Sequence, residues 1–99
     1  MRLELENAPA VKNPDADAIR ASLARLKGFA IFGGDEMTYI QTAGSAREGF
    51  VLEYQEGDID RHYSCPDSLS LEQVVQAFLS YSEGTDSWKT EHQWKQEDI

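Results

Sequence analysis

Between Gly49 and Cys65 the chain reads Gly-Phe-Val-Leu-Glu-Tyr-Gln-Glu-Gly-Asp-Ile-Asp-Arg-His-Tyr-Ser-Cys, and this stretch limits the fold more than any other. Apolar and polar residues alternate from Phe50 to Gln55, the period of a strand with one buried side. Glu56-Gly57-Asp58 supplies turn chemistry, and a second strand returns through His62 to Cys65. With Gly57-Asp58 as a two-residue turn, Tyr54 lies opposite Arg61, Glu53 opposite His62 and Phe50 opposite Cys65. Phe50, Leu52, Tyr54, Arg61, Tyr63 and Cys65 then share the core face. Val51, Glu53, Gln55, Asp60, His62 and Ser64 share the other, which reads as polar and open to water. A slip of one residue would pair Glu53 with Arg61 instead, so the register rests on the turn.

Elements on either side supply what this hairpin packs against. Leu3 and Leu5 alternate with charged residues as a short first strand, ended by Ala8-Pro9. Asn13-Pro14 is a helix start, with Asn13 as cap and Asp15 and Asp17 at the positive end of the dipole. Ile19, Leu23 and Leu26 follow at helical spacing and Gly28 is placed to stop the helix, so a first helix is expected near 14–27. Phe29 to Phe32 reads as a buried strand, Gly33-Gly34-Asp35 as a turn, and Met37 to Thr42 as the next strand. Ser70 and Gln73 form a capping box ahead of Leu71, Val74, Val75, Phe78 and Leu79, an amphipathic helix that Gly84 ends. Trp88 to Trp94 alternates and reads as a last strand.

The expected order is therefore β-α-β-β-β-β-α-β. It describes a single α+β domain over 1–99, a two-layer sandwich with an antiparallel sheet of about five to six strands and two helices on one face. The first and last strands could lie at opposite edges or beside each other.

Charge narrows the function classes. The formal net charge is −9, of which residues 1–52 carry −1 and residues 53–99 carry −8. Such a field repels phosphate backbones and anionic lipid, so nucleic acid and membrane are not expected partners. No apolar run approaches the roughly 20 residues of a membrane helix. The start lacks the apolar stretch of a signal peptide, and the single Cys65 does not suit a secreted disulfide scaffold. A cytoplasmic protein is expected.

Glu53 beside His62 is the one pair with acid–base chemistry, since a carboxylate orients and charges an imidazole. The plainer reading is a cross-strand ion pair worth about 0.2–1 kcal/mol. No nucleophile, phosphate loop or catalytic signature accompanies it, which points away from an enzyme. Arg61 on the apolar side is either an anion clamp or a side chain reaching out to water. No spacing of His and Cys suits a metal, and no cofactor is expected. Trp88 and Trp94 are either binding anchors or core seals.

Tyr39-Ile40-Gln41, Leu52-Glu53-Tyr54, Glu56-Gly57, His62-Tyr63, Phe78 with Tyr81, and Trp88 with Trp94 resemble a pattern of short bacterial proteins with no assigned activity. That resemblance implies an α+β domain and no catalytic residues. In size and acidity the chain is also similar to the immunity proteins of bacterial toxin systems. Two functions follow as expectations. The first is a small acidic protein-binding module for a partner that could be basic, contacted through Glu53, Asp58, Asp60, His62 and Trp94, the chain itself being a monomer or a homodimer. The alternative is a small-ligand binder or enzyme with a pocket between sheet and helices, lined by Tyr39, Tyr54, Arg61 and Tyr63.

Overall fold

The sheet grows outward in both directions from the central hairpins. A computed structural model describes residues 1–97. Its strands are β1 (Arg2–Leu5), β2 (Ala8–Lys12), β3 (Lys27–Gly33), β4 (Thr38–Ser45), β5 (Gly49–Glu56), β6 (His62–Ser64) and β7 (Lys95–Gln96). They form one seven-stranded sheet in the order β2-β1-β3-β4-β5-β6-β7, and every neighbouring pair is antiparallel. Three helices accompany it: α1 (Ala16–Ala24), α2 (Leu71–Glu83) and α3 (Ser87–Thr90). The α+β class and the β3-to-β6 meander stand as expected, with two more elements at the ends than the alternation showed.

Both additions have local causes. At the N-terminus, Asn7 takes a left-handed φ of 63°, which turns the chain back so that Ala8–Lys12 pairs with β1 rather than merely ending it. β1 also pairs with β3, so the first strand sits inside the sheet and β2 forms the edge. At the other end, residues 88–94 are not a strand. Ser87 to Thr90 make one helical turn that buries Trp88, and only Lys95–Gln96 pair with β6. The first and last strands thus extend opposite halves of the sheet.

Helix α1 is shorter than expected from 14–27. Asp15, not Asn13, caps it, its Oδ1 accepting from the Ala18 N–H at 2.8 Å. The Asn13 side chain instead accepts from the N-terminal amine at 2.7 Å. Gly28 lies inside β3, because the chain leaves the helix at Arg25 and buries Leu26 on the way into the strand. Helix α2 follows the sequence closely. Ser70 and Gln73 form the reciprocal capping box, and Gly84 closes the helix in the left-handed conformation at φ 76°.

The core lies between the helices and one face of the sheet. Leu3, Ala30, Phe32, Ile40, Phe50, Leu52 and Tyr54 project from the strands, and Ile19, Leu23, Val74, Val75 and Phe78 meet them from α1 and α2. Each large aliphatic or aromatic side chain so buried contributes about 1.5–3 kcal/mol. Toward β6 the core becomes aromatic. Tyr54 stacks on Tyr63 with centroids 4.9 Å apart, and Trp88 and Trp94 meet Tyr54 edge-on at 4.8 and 4.6 Å. Ser80 ties α2 to α3, its Oγ accepting from the Trp88 N–H and bonding the hydroxyls of Thr85 and Ser87.

Among the described residues, no helix covers the opposite face of the sheet. No helix among the described residues is long and apolar enough to cross a membrane.

Candidate functional site

Strand pairing lays the helix-free face out in three rows. Phe29, Ala43 and Val51 face one another across β3, β4 and β5. Glu4, Ile31, Gln41, Glu53 and Ser64 form the next row, and Gly33, Tyr39, Gln55 and His62 the third. The first row is apolar and open: Phe29 is 43% exposed and Val51 50%, with Ala43 exposed between them. The other two rows hold a connected polar network.

That network centres on His62. The turn after β5 is longer than two residues. Gly57 takes φ 80°, and the Asp58 side chain accepts from the Asp60 N–H to cap a short 3-10 turn over Ile59–Arg61. The added residues shift the register by two. His62 therefore lies opposite Gln55, Tyr63 opposite Tyr54 and Ser64 opposite Glu53. A shift of two preserves the faces, so Glu53 and His62 still meet, now on a diagonal, with His62 Nε2 and Glu53 Oε1 2.7 Å apart.

His62 is not open to water as its face suggested; it is only 3% exposed, and Gln55 opposite it 4%. The Gln55 amide nitrogen donates to the Met37 carbonyl at 3.1 Å, so its oxygen faces inward. There it accepts from the Tyr39 hydroxyl at 3.3 Å and sits 3.1 Å from His62 Nδ1. Glu53 Oε1 also accepts from the Gln41 amide at 2.9 Å. Both imidazole nitrogens thus point at side-chain oxygens, Nδ1 at Gln55 Oε1 and Nε2 at Glu53 Oε1. Tyr39 packs edge-on to the ring at 6.2 Å, and the backbone N–H of Glu97 donates to the His62 backbone carbonyl. Burial first, and the Glu53 charge second, hold the Tyr39 hydroxyl above the ordinary tyrosine pKa. Both ring nitrogens are engaged by side chains of β5, so the pair ties β6 to β5 from a ring that is almost fully buried.

The other expected contact residues lie apart from this network. Asp58 and Asp60 are exposed in the turn beyond β5. Trp94 is on the helix side, half-buried, its indole N–H donating to the Lys89 carbonyl at 2.8 Å. Glu53, Asp58, Asp60, His62 and Trp94 therefore do not make one surface.

Nor do the residues of the alternative pocket share a cavity. Tyr54 and Tyr63 are packed in the aromatic cluster, Tyr39 is on the opposite face, and Arg61 points outward, 3.8 Å from Glu56. Glu56 also takes the Lys89 ammonium at 3.0 Å, which lies 5.5 Å over the Tyr54 ring. Burial, then the Glu56 and Tyr63 charges, push the Tyr54 phenol up to about 12 against a smaller lowering by Arg61. The space between sheet and helices here is filled by side chains.

A cleft of about 420 Å³ opens instead at the Gly33 end of the helix-free face. Ile31 and Tyr39 line it together with Gln41, Gly33 and Gly34, and Arg2, Glu4, Asp35 and Glu36 border it. Asp35 is fixed in place, its Oδ1 accepting from the Met37 and Thr38 N–H groups at 2.7 and 2.8 Å. Among the described residues no three of His, Cys, Asp and Glu are grouped to hold a metal ion.

Phe29 to Phe32 reads in the sequence as a buried strand, but only Ala30 and Phe32 are buried, while Phe29 is exposed and Ile31 half-buried on the helix-free face; Ala43 and the cleft carry no sequence signal. Val51 was placed on the right face, but that Phe29 and Ala43 stand beside it emerges only from the pairing of three strands. No protein family, no curated protein and no solved structure matches this chain.

Proposed function

We propose that this chain is a protein-binding module that presents its helix-free sheet face to a partner. The observation that carries this reading is the apolar row Phe29–Ala43–Val51, left open on a face whose polar neighbours are already locked to one another. Side chains held in place lose little entropy on binding, and exposed apolar side chains next to a fixed polar network suit a recognition surface.

The sheet edges are less suited to this role. Pro9 removes an N–H from β2, and β7 is two residues long and carries Lys95, the devices that blunt edge pairing. The net charge of −9 favours a basic partner and fast association at low salt. An immunity-like role against a basic toxin domain fits that charge, and the module would act in the cytoplasm.

The test is affinity capture from the source lysate with the native chain, a Val51→Asp variant and a Gln76→Asp control on the exposed side of α2. A partner held by the native chain and the control but lost by Val51→Asp supports the reading. Equal retention by Val51→Asp refutes it.

A further inference from the structure

We infer that the partner segment docked on this face is basic and amphipathic, and that it places a lysine or arginine side chain in the cleft beside Tyr39. This rests on the proposed binding face and names the chemistry of its occupant.

The argument is an inventory of what the cleft still offers. Its donors are largely used: the Tyr39 hydroxyl donates to Gln55, and the Gln41 amide donates to Glu53. Arg2 lies 3.4 Å from Glu4. What remains is mostly acceptor capacity, on the carboxylates of Glu36 and Glu4, the second oxygen of Asp35, and the Gln41 carbonyl oxygen. Glu4, Asp35 and Glu36 border the cleft. With Glu4 paired to Arg2, and with Lys12 and the N-terminal amine set on the far side of Arg2, the oxygens of Asp35 and Glu36 favour an occupant that donates hydrogen bonds and carries positive charge.

The lining selects the rest of the side chain. Ile31 and the Tyr39 ring give an apolar surface for a methylene stem, and a cation near a tyrosine face gains further. Gly33 and Gly34 keep that end of the cleft free of side chains. The cleft is continuous with the apolar row, because Ile31 lies two residues from Phe29 on the same face of β3. A segment with apolar residues on Phe29 and Val51 reaches the cleft with its next basic residue.

The test titrates ¹⁵N-labelled protein with Nα-acetyl-arginine amide, and with the citrulline analogue as an uncharged control of nearly the same shape. The expected result is shifts at the Gly33, Gly34, Asp35 and Tyr39 amides for arginine and none for citrulline. Affinity should fall roughly tenfold in a Glu4→Gln/Glu36→Gln variant, whose exposed side chains are not needed for folding. Equal shifts with citrulline, shifts spread over the acidic second half, or no effect of the double substitution would overturn the inference. Val51→Asp lies outside the cleft and separates the two ideas. Capture lost in Val51→Asp without arginine binding overturns only the cleft. Arginine binding with capture untouched by Val51→Asp overturns the binding face and, with it, the docked segment.

Discussion

Replacing Glu53 with alanine should destabilise the fold by about 2 kcal/mol, more than a surface carboxylate usually costs. The figure follows from the surroundings of His62. With the ring 3% exposed, its Nε2 loses its one protein partner once Glu53 is gone. An orphaned buried donor costs about 1–3 kcal/mol, and breaking a fully buried ion pair about 3–5. The Glu53 side chain is 33% exposed, so solvent recovers part of the loss and the lower range applies. Gln41, half-buried, loses a partner that water can replace. For a chain of this size the loss lowers Tm by roughly 8–16 °C. Urea unfolding of the native chain, Glu53→Ala, His62→Phe and the double variant measures it. In the His62→Phe background the Glu53→Ala change should cost less than about 0.5 kcal/mol, because no donor remains to be orphaned. A cost of Glu53→Ala below about 0.5 kcal/mol in the native background would refute the reasoning, as would equal costs in both backgrounds.

Three further outcomes are expected. Gly44→Ala should cost at least about 3 kcal/mol or prevent folding, since its φ is +138° and a Cβ would meet the Gly49 carbonyl oxygen; Gly34→Ala, with no atom within 4 Å, should stay within about 0.5 kcal/mol by the same urea assay. Because the folded Tyr54 phenol is raised from 10.0 to about 12, its contribution is fully present below pH 10.0 and is lost as pH rises through about 12; Tyr54→Phe should make the urea midpoint fall less steeply across that window. Trp94→Ala should cost about 2–4 kcal/mol by thermal denaturation while leaving partner capture intact, because the indole packs on Tyr54 and Trp88 rather than on the open face.

What could be read in the sequence depended on how local the cause was. The α2 cap needed only Ser70, Gln73 and Gly84, all within one helix, and it stands. Within β5 and β6 the faces also stand, because alternation fixes them and a shift of two residues leaves them unchanged, whereas Arg61, expected on the core face, falls in the 3-10 turn and is exposed. The register itself was not legible, since it turned on Asp58 capping a 3-10 turn instead of sitting in a tight loop. Trp88 to Trp94 misled for a similar reason: the alternation is real, but Trp88 gains more by entering the Tyr54–Tyr81 cluster on a helical turn. The burial of His62 required Tyr39 and Gln55 from β4 and β5, a long-range arrangement that no window of sequence contains.

The most direct measurement is an amide chemical-shift map of the labelled chain with its captured partner. Perturbations concentrated on Phe29, Ile31, Ala43 and Val51, with the exposed positions of α2 silent, are the predicted result. A map centred on α2, or on Asp58 and Asp60 in the turn beyond β5, would contradict the assignment of the helix-free face as the binding surface.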